Sequence, residues 1–150
     1  MRVISILVIV FMLLPVLVLA QENKAADRIK GVWYNGEKTS KIEIFKTTKG
    51  DYAGRIIWLK EPNDEAGNPK TDKKNPEKSL RSRPTLGLII LKGLEYKGNS
   101  KWEDGEIYDP KNGKTYSCKA EMTDVNTLQF RGFIKVSLLG RTDTWIRTTK

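Results

Sequence analysis

The sequence predicts an all-β protein: a single antiparallel eight-stranded β-barrel with a long polar loop over residues 60–85 and a short N-terminal helical turn. Three observations predict it. Eight segments alternate apolar and polar residues with period two, and no long helical pattern separates them. The joints between them carry turn chemistry. One connection is so polar that it can be neither core nor central strand, which sets it apart from the scaffold.

The first twenty residues, MRVISILVIVFMLLPVLVLA, hold one charge, Arg2, and an apolar run from Val3 to Leu19. They read as a secretory leader cut between Ala20 and Gln21. A permanent anchor is the rival reading, but 17 residues interrupted by Ser5 and Pro15 fall short of the roughly 20 that a spanning helix needs. No cysteine stands directly after the cleavage point, so the pattern for a lipid-modified N-terminus is missing. The expectation is an exported protein, periplasmic or extracellular, with one domain over residues 21–150 and no transmembrane span once the leader is removed.

A polar lead, Gln21–Lys30, has room for one helical turn around Ala25–Ile29. The strands are then predicted at Gly31–Asn35, Thr39–Thr47, Asp51–Leu59, Gly87–Tyr96, Lys101–Tyr108, Lys114–Thr123, Thr127–Lys135 and Arg141–Thr148. Asp109-Pro-Lys-Asn-Gly113 is a hairpin signal in which Asn-Gly supplies positive φ, and Thr123-Asp-Val-Asn126 is a weaker one. On the sixth strand Tyr116, Cys118, Ala120 and Met122 form a dry face. The seventh repeats it with Leu128, Phe130, Gly132 and Ile134, although Phe133 breaks the polar side. Closure into a barrel removes exposed edges, and eight strands leave room for side chains alone or for one small ligand. A flattened sandwich is the alternative architecture.

The run Lys60–Pro84 has only Ala66 and Leu80 as apolar residues and carries four of the six prolines of the chain. Connections this long are usually binding loops, lids or disorder. Its acids Glu61, Asp64 and Glu65 come early, and its bases Lys73, Lys74, Lys78, Arg81 and Arg83 come late. Arg81 and Arg83, on an extended segment, point the same way and can share a carboxylate or phosphate. Equally, they can dock the loop onto acids of the barrel itself.

Without the leader the net charge falls from +9 to +8, because Arg2 is its only charge. That suits an anionic envelope component, or simple solubility, and in an exported chain it does not point to nucleic acid. Cys118 is the only cysteine, so no internal disulfide forms, and it reads as a small buried hydrophobe. Histidine is absent, which excludes Ser-His and Cys-His catalysis and imidazole metal sites. Asn63–Asn68 fails calcium-loop spacing, and Gly113-Lys-Thr115 fails phosphate-loop spacing. No catalytic residue, metal or cofactor is assigned. Acid pairs from Glu43, Asp51, Glu103, Glu106 and Asp109 leave a carboxylate-based enzyme on carbohydrate or lipid as the third functional class.

Two sets of residues carry a resemblance. Gly31-Val-Trp33 with Arg147 is similar to the lipocalin pattern, in which an indole plugs the closed end and a late-strand arginine packs over it. The ordered blocks Gly31-Val-Trp33, Ile56-Ile-Trp58-Leu-Lys-Glu-Pro-Asn-Asp64, Asn75-Pro76, Arg81-Ser-Arg83-Pro84, Gly87, Ile107-Tyr-Asp-Pro110, Asn112-Gly-Lys-Thr-Tyr116 and Gly140-Arg-Thr-Asp-Thr-Trp145 resemble the bacterial secreted family catalogued as domain of unknown function 2147. The resemblance implies a lipocalin-like barrel and an exported location, and no activity. Candidate ligand-binding residues are Trp33, Trp58, Arg81, Arg83, Tyr108, Tyr116, Arg141 and Arg147. The expected partner is a small amphipathic or anionic ligand held beneath the loop, the alternative an anionic envelope polymer or a protein partner.

Overall fold

A computed structural model describes residues 21, 23–135 and 137–149. The expected leader, residues 1–20, lies outside them. Residues 23–26 are helical and tighten into a 3-10 turn at Asp27–Ile29. Eight strands follow: β1 (Gly31–Tyr34), β2 (Ser40–Lys46), β3 (Tyr52–Leu59), β4 (Ile89–Gly98), β5 (Lys101–Asp109), β6 (Lys114–Asp124), β7 (Thr127–Phe133) and β8 (Arg141–Thr148). Each pairs antiparallel with the next, and β8 returns to β1, closing a barrel. The barrel, and not the sandwich, is the architecture, and closure leaves no strand edge unpaired.

Register decides which side chains face inward. Trp33 lies opposite Ile42, Gly54 opposite Leu91, Leu91 opposite Ile107, Gly105 opposite Cys118, and Phe130 opposite Ala120. Trp33, Trp102, Leu91, Leu94 and Leu128 have no exposed surface, and Phe130 and Trp145 have 3%. A water-sized void against any of them would appear as exposure, so the middle and one end of the barrel are solid with side chains. Two inward positions carry glycine because nothing larger fits. A Cβ on Gly54 would lie 3.1 Å from both Ile42 and Leu91, and one on Gly105 would lie 2.8 Å from Leu94 and 3.0 Å from the Cys118 sulfur.

Bulges correct the period-two reading. Trp58 pairs with Lys41 but Ile56 pairs with Ile42, so Ile57 is an extra residue and the alternation slips there. Trp58 therefore turns away from the face that holds Ile56, is 37% exposed, and lies edge-on to Tyr34 with the Lys41 ammonium near both rings. On β7 the dry face stops early. The strand ends at Phe133, and Ile134, expected inside, is 59% exposed.

The connections sort by end. The helical lead and the β2–β3, β4–β5 and β6–β7 turns gather at the closed end. The β1–β2, β3–β4, β5–β6 and β7–β8 connections surround the other, the mouth.

Candidate functional site

The closed end is built from the lead inward. Five successive residues are gripped by barrel side chains. Trp102 Nε1 donates to the Ala26 carbonyl (3.2 Å), the Tyr52 hydroxyl to the Asp27 carboxylate (2.7 Å), Trp33 Nε1 to the Ile29 carbonyl (2.9 Å), and Arg147 to the carbonyls of Arg28 (2.7 Å) and Lys30 (2.9 Å). Arg147 Nε also donates to the Val125 carbonyl (2.8 Å), and its guanidinium stands 4.2 Å from the Trp33 ring centre. Gly31, at φ 134°, makes room for it, since a Cβ there would come within 2.6 Å of Arg147 Nη1. Asp27, hydrogen-bonded by Lys30 and further by Tyr52 and Lys46 against the cost of burial, has its carboxyl lowered to about 2. Burial and the Asp27 carboxylate push the Tyr52 phenol well above its ordinary range. Trp33 and Arg147, expected to touch ligand, are instead the closure of the barrel: the indole has no exposed surface and all three guanidinium nitrogens already hold carbonyls.

The long polar connection is not a structureless lid. Backbone bridges join Asn63 to Pro69 and Thr71 to Pro84, and a 3-10 turn forms at Lys78–Leu80. Its core is polar. Asp72, fully buried, accepts from Arg83 Nε (2.9 Å) and Nη2 (2.8 Å), from Asn75 Nδ2 (2.8 Å) and from the Tyr108 hydroxyl. Burial alone would raise the Asp72 carboxyl, but the bonds from Tyr108, Asn75 and Arg83 together hold it below the usual value. Burial, with the Asp72 bond adding to it, pushes the Tyr108 phenol up to about 12. Arg81 sits in αR backbone after the 3-10 turn, and its Nε donates to the Asn75 carbonyl (2.7 Å). The two arginines therefore do not extend side by side toward a ligand. Both are spent on the Asp72–Asn75 turn, an acid within the loop itself rather than one of the barrel. Tyr108 adjoins inward-facing Ile107 and so leaves the opposite face of β5, which pins this lobe to the outer side of the rim.

At the mouth the packing loosens. Gly132, Tyr116 and Ile107 share the inward face with Arg141 and Asp143. Trp145 below them is buried and stacked on Phe130, 4.5 Å between centres and 11° from parallel. Asp143 and Arg141, two and four residues earlier on the same face, are exposed. A Cβ on Gly132 would meet Ile107 and Tyr116 only at 3.8 Å, ordinary contact, in contrast to Gly54 and Gly105. The mouth thus has a charged rim standing above a buried aromatic stack. Asp143 accepts from Trp145 Nε1 (2.8 Å) and from the Gly36 amide (3.2 Å). Tyr116 accepts from Asn112 Nδ2 (3.0 Å). The β1–β2 and β5–β6 turns stand opposite each other on the ring, and a Glu37–Lys111 ion pair of 2.7 Å joins them. Lys111 holds the Glu37 carboxyl below its usual value.

Of the candidate residues, the structure thus brings Tyr116 and Arg141 together at the mouth, assigns Arg81, Arg83 and Tyr108 to the lobe, puts Trp33 and Arg147 at the closed end, and leaves Trp58 outside. Sequence reasoning missed Asp143 and Asp72. The alternation of β8 could have given the first, since Asp143 shares parity with Trp145; nothing in the sequence marks Asp72 among the other loop acids. The acids weighed for hydrolysis are dispersed. Glu43 pairs with Arg55 (2.6 Å), Glu103 and Glu106 adjoin inward positions and face outward, Asp51 lies in the β2–β3 turn, and Asp109 caps the β5–β6 hairpin. Among the described residues no group of acids, cysteines or histidines could hold a metal ion.

Residues 31–147 match the model of the family described as "Uncharacterized protein conserved in bacteria (DUF2147)". The chain belongs to this family. A solved structure, the protein HP1028 of Helicobacter pylori, described as belonging to the lipocalin family, is similar at 27% identity and a TM-score of 0.69. The likeness covers 81% of this chain and 84% of that one. No curated protein matches. The family member described here is thus a closed eight-stranded barrel of lipocalin type.

Proposed function

We propose that this family member is an exported, non-enzymatic binding module that takes one small amphipathic or anionic ligand at the barrel mouth. One observation carries the reading: along the inward face of β8, exposure rises from buried Trp145 to exposed Asp143 and Arg141, so a cation and the half-buried Tyr116 and Ile107 reach solvent together above the buried aromatic stack. That pairing suits a ligand with an apolar body and an anionic head. Because the barrel below is filled, the ligand sits in the mouth and not in a deep calyx. Arg141 meets the head group, Ile107 takes the body above the Phe130–Trp145 stack, and Tyr116 adds a hydroxyl at the rim.

The test is native mass spectrometry of the protein recovered from the envelope fraction of its host, before and after denaturation, beside Arg141→Ala. A discrete extra mass that disappears on denaturation and is lost in Arg141→Ala is expected. A clean apo mass in the wild-type protein overturns the reading and moves the search to a basic surface that binds an envelope polymer.

A further inference from the structure

The β7–β8 connection presents Leu138 and Leu139, at 86% and 80% the most exposed large apolar side chains among the described residues, with Ile134 at 59% beside them. Single exposed leucines are ordinary on a soluble protein; three large apolar side chains on one short connection are not. Nor is the connection a frayed end. Ser137–Leu139 forms a 3-10 turn, and Arg131 holds it to the barrel, with Nη2 donating to the Leu138 carbonyl (3.0 Å) and Nη1 to the Thr142 hydroxyl (2.8 Å). The turn is therefore fastened in a conformation that keeps both leucines in water.

Its charge says what could cover it. From Arg131 to Arg141 the chain has three cations, Arg131, Lys135 and Arg141, and no acid. An apolar tip above a cationic base is the chemistry of a segment that settles at the headgroup boundary of an anionic bilayer. A second copy of the chain fits less well, because stable interfaces bury about 800 Å² per partner and a convex turn of three side chains offers far less. We propose that the β7–β8 turn docks the barrel, mouth first, onto an anionic lipid surface. Leu138 and Leu139 enter the acyl boundary, and Lys135 meets headgroup phosphates. The docking stands apart from the ligand reading, since an empty barrel would dock as well.

The test uses the protein expressed from its full gene and recovered from the envelope, its N-terminus established by intact mass so that the apolar leader makes no contribution. Sedimentation with vesicles of phosphatidylcholine plus phosphatidylglycerol should carry the protein down, and vesicles of phosphatidylcholine alone should not. Leu138→Ser with Leu139→Ser should weaken partitioning at least about tenfold, and Lys135→Gln about fivefold, with the near-ultraviolet circular dichroism of the tryptophans unchanged. A second measurement does not depend on weakened binding. Leu139→Cys, labelled with an environment-sensitive dye, should shift to the blue on mixed vesicles; Cys118, 1% exposed, does not compete for the label. Equal partitioning of wild type and the double leucine variant, or unshifted emission, overturns the proposal. So does loss of a concentration-dependent dimer in that variant with vesicle binding intact, which would assign the turn to a second copy.

Discussion

The two ends of this barrel are finished by opposite means. At the closed end the strands supply the donors and the lead supplies the acceptors: Trp33, Trp102, Tyr52 and Arg147 hold residues 26–30 against an apolar core, and the packing beside Trp33 is complete. At the other end the finish is ionic and partial. A lobe organised on the single buried carboxylate of Asp72 is fastened beside the mouth, one exposed ion pair crosses it, and the inward face of β8 reaches water. The difference teaches where each kind of stability belongs. Burial of aromatic surface is strong and non-directional, and serves the end that never opens. Hydrogen-bonded charge positions a chain with little net stabilisation, and serves the end that stays open to solvent.

The comparison is broken most directly at the closed end. Trp33→Ala removes the plug together with the Ile29 bond and the Arg147 stack, and should cost about 3–5 kcal/mol in urea unfolding. A cost confined to the first strand, seen as fraying by hydrogen exchange without a lower midpoint, would mean that the plug is local. Asp72→Asn comes next. It turns an amide toward the donors of Arg83 and Asn75 and should cost the lobe about 2 kcal/mol, with residues 60–88 losing exchange protection while the β-strands keep theirs. The same carboxylate sets a pH dependence. Its folded value is depressed, so its stabilisation is complete above the ordinary value of 3.8 and is lost as the pH falls through the lower folded value. Limited proteolysis of the lobe should therefore rise more steeply in strong acid in the wild type than in Asp72→Asn, in which Asp64, also held low by Lys73, still titrates.

Glycine substitutions sharpen the contrast between the filled centre and the open mouth. Gly105→Ala forces a methyl against Leu94 and the Cys118 sulfur and should cost about 1–2 kcal/mol. Gly132→Ala finds ordinary contact distances and should change stability by no more than about 0.5 kcal/mol. Gly132→Val, reaching further into the mouth, should leave the fold intact and reduce ligand capture as read by native mass spectrometry. Equal destabilisation by Gly105→Ala and Gly132→Ala would mean that the mouth is as full as the centre.

Much of this was legible in advance. Every strand was recognisable because one face is dry and the joints use Asn, Asp and Gly, and each observed boundary falls within two residues of the expected one. Gly31, Trp33 and Arg147 were legible as a set, since their spacing along the chain matches a known closure. The site was less so. Trp58 was expected to contact ligand, and the extra residue Ile57 turned it away from the face that holds Ile56. Arg81 and Arg83 were expected to stand on extended backbone, and the 3-10 turn before them sent both into their own loop.

The sequence by itself determined the all-β class, the strand count, the absence of histidine and disulfide chemistry, and the separateness of the polar loop. These follow from composition and from local periodicity, which act within a few residues. Tertiary structure alone decided which of several acids is buried, which tryptophan faces out, and that the centre is filled while the mouth is not. Those outcomes depend on bulges and on partners far apart in the chain: Asp72 meets Tyr108 across 36 positions and Arg147 meets Arg28 across 119. A contact between residues so distant has no signature in either one's neighbourhood, so only the closed barrel could declare it.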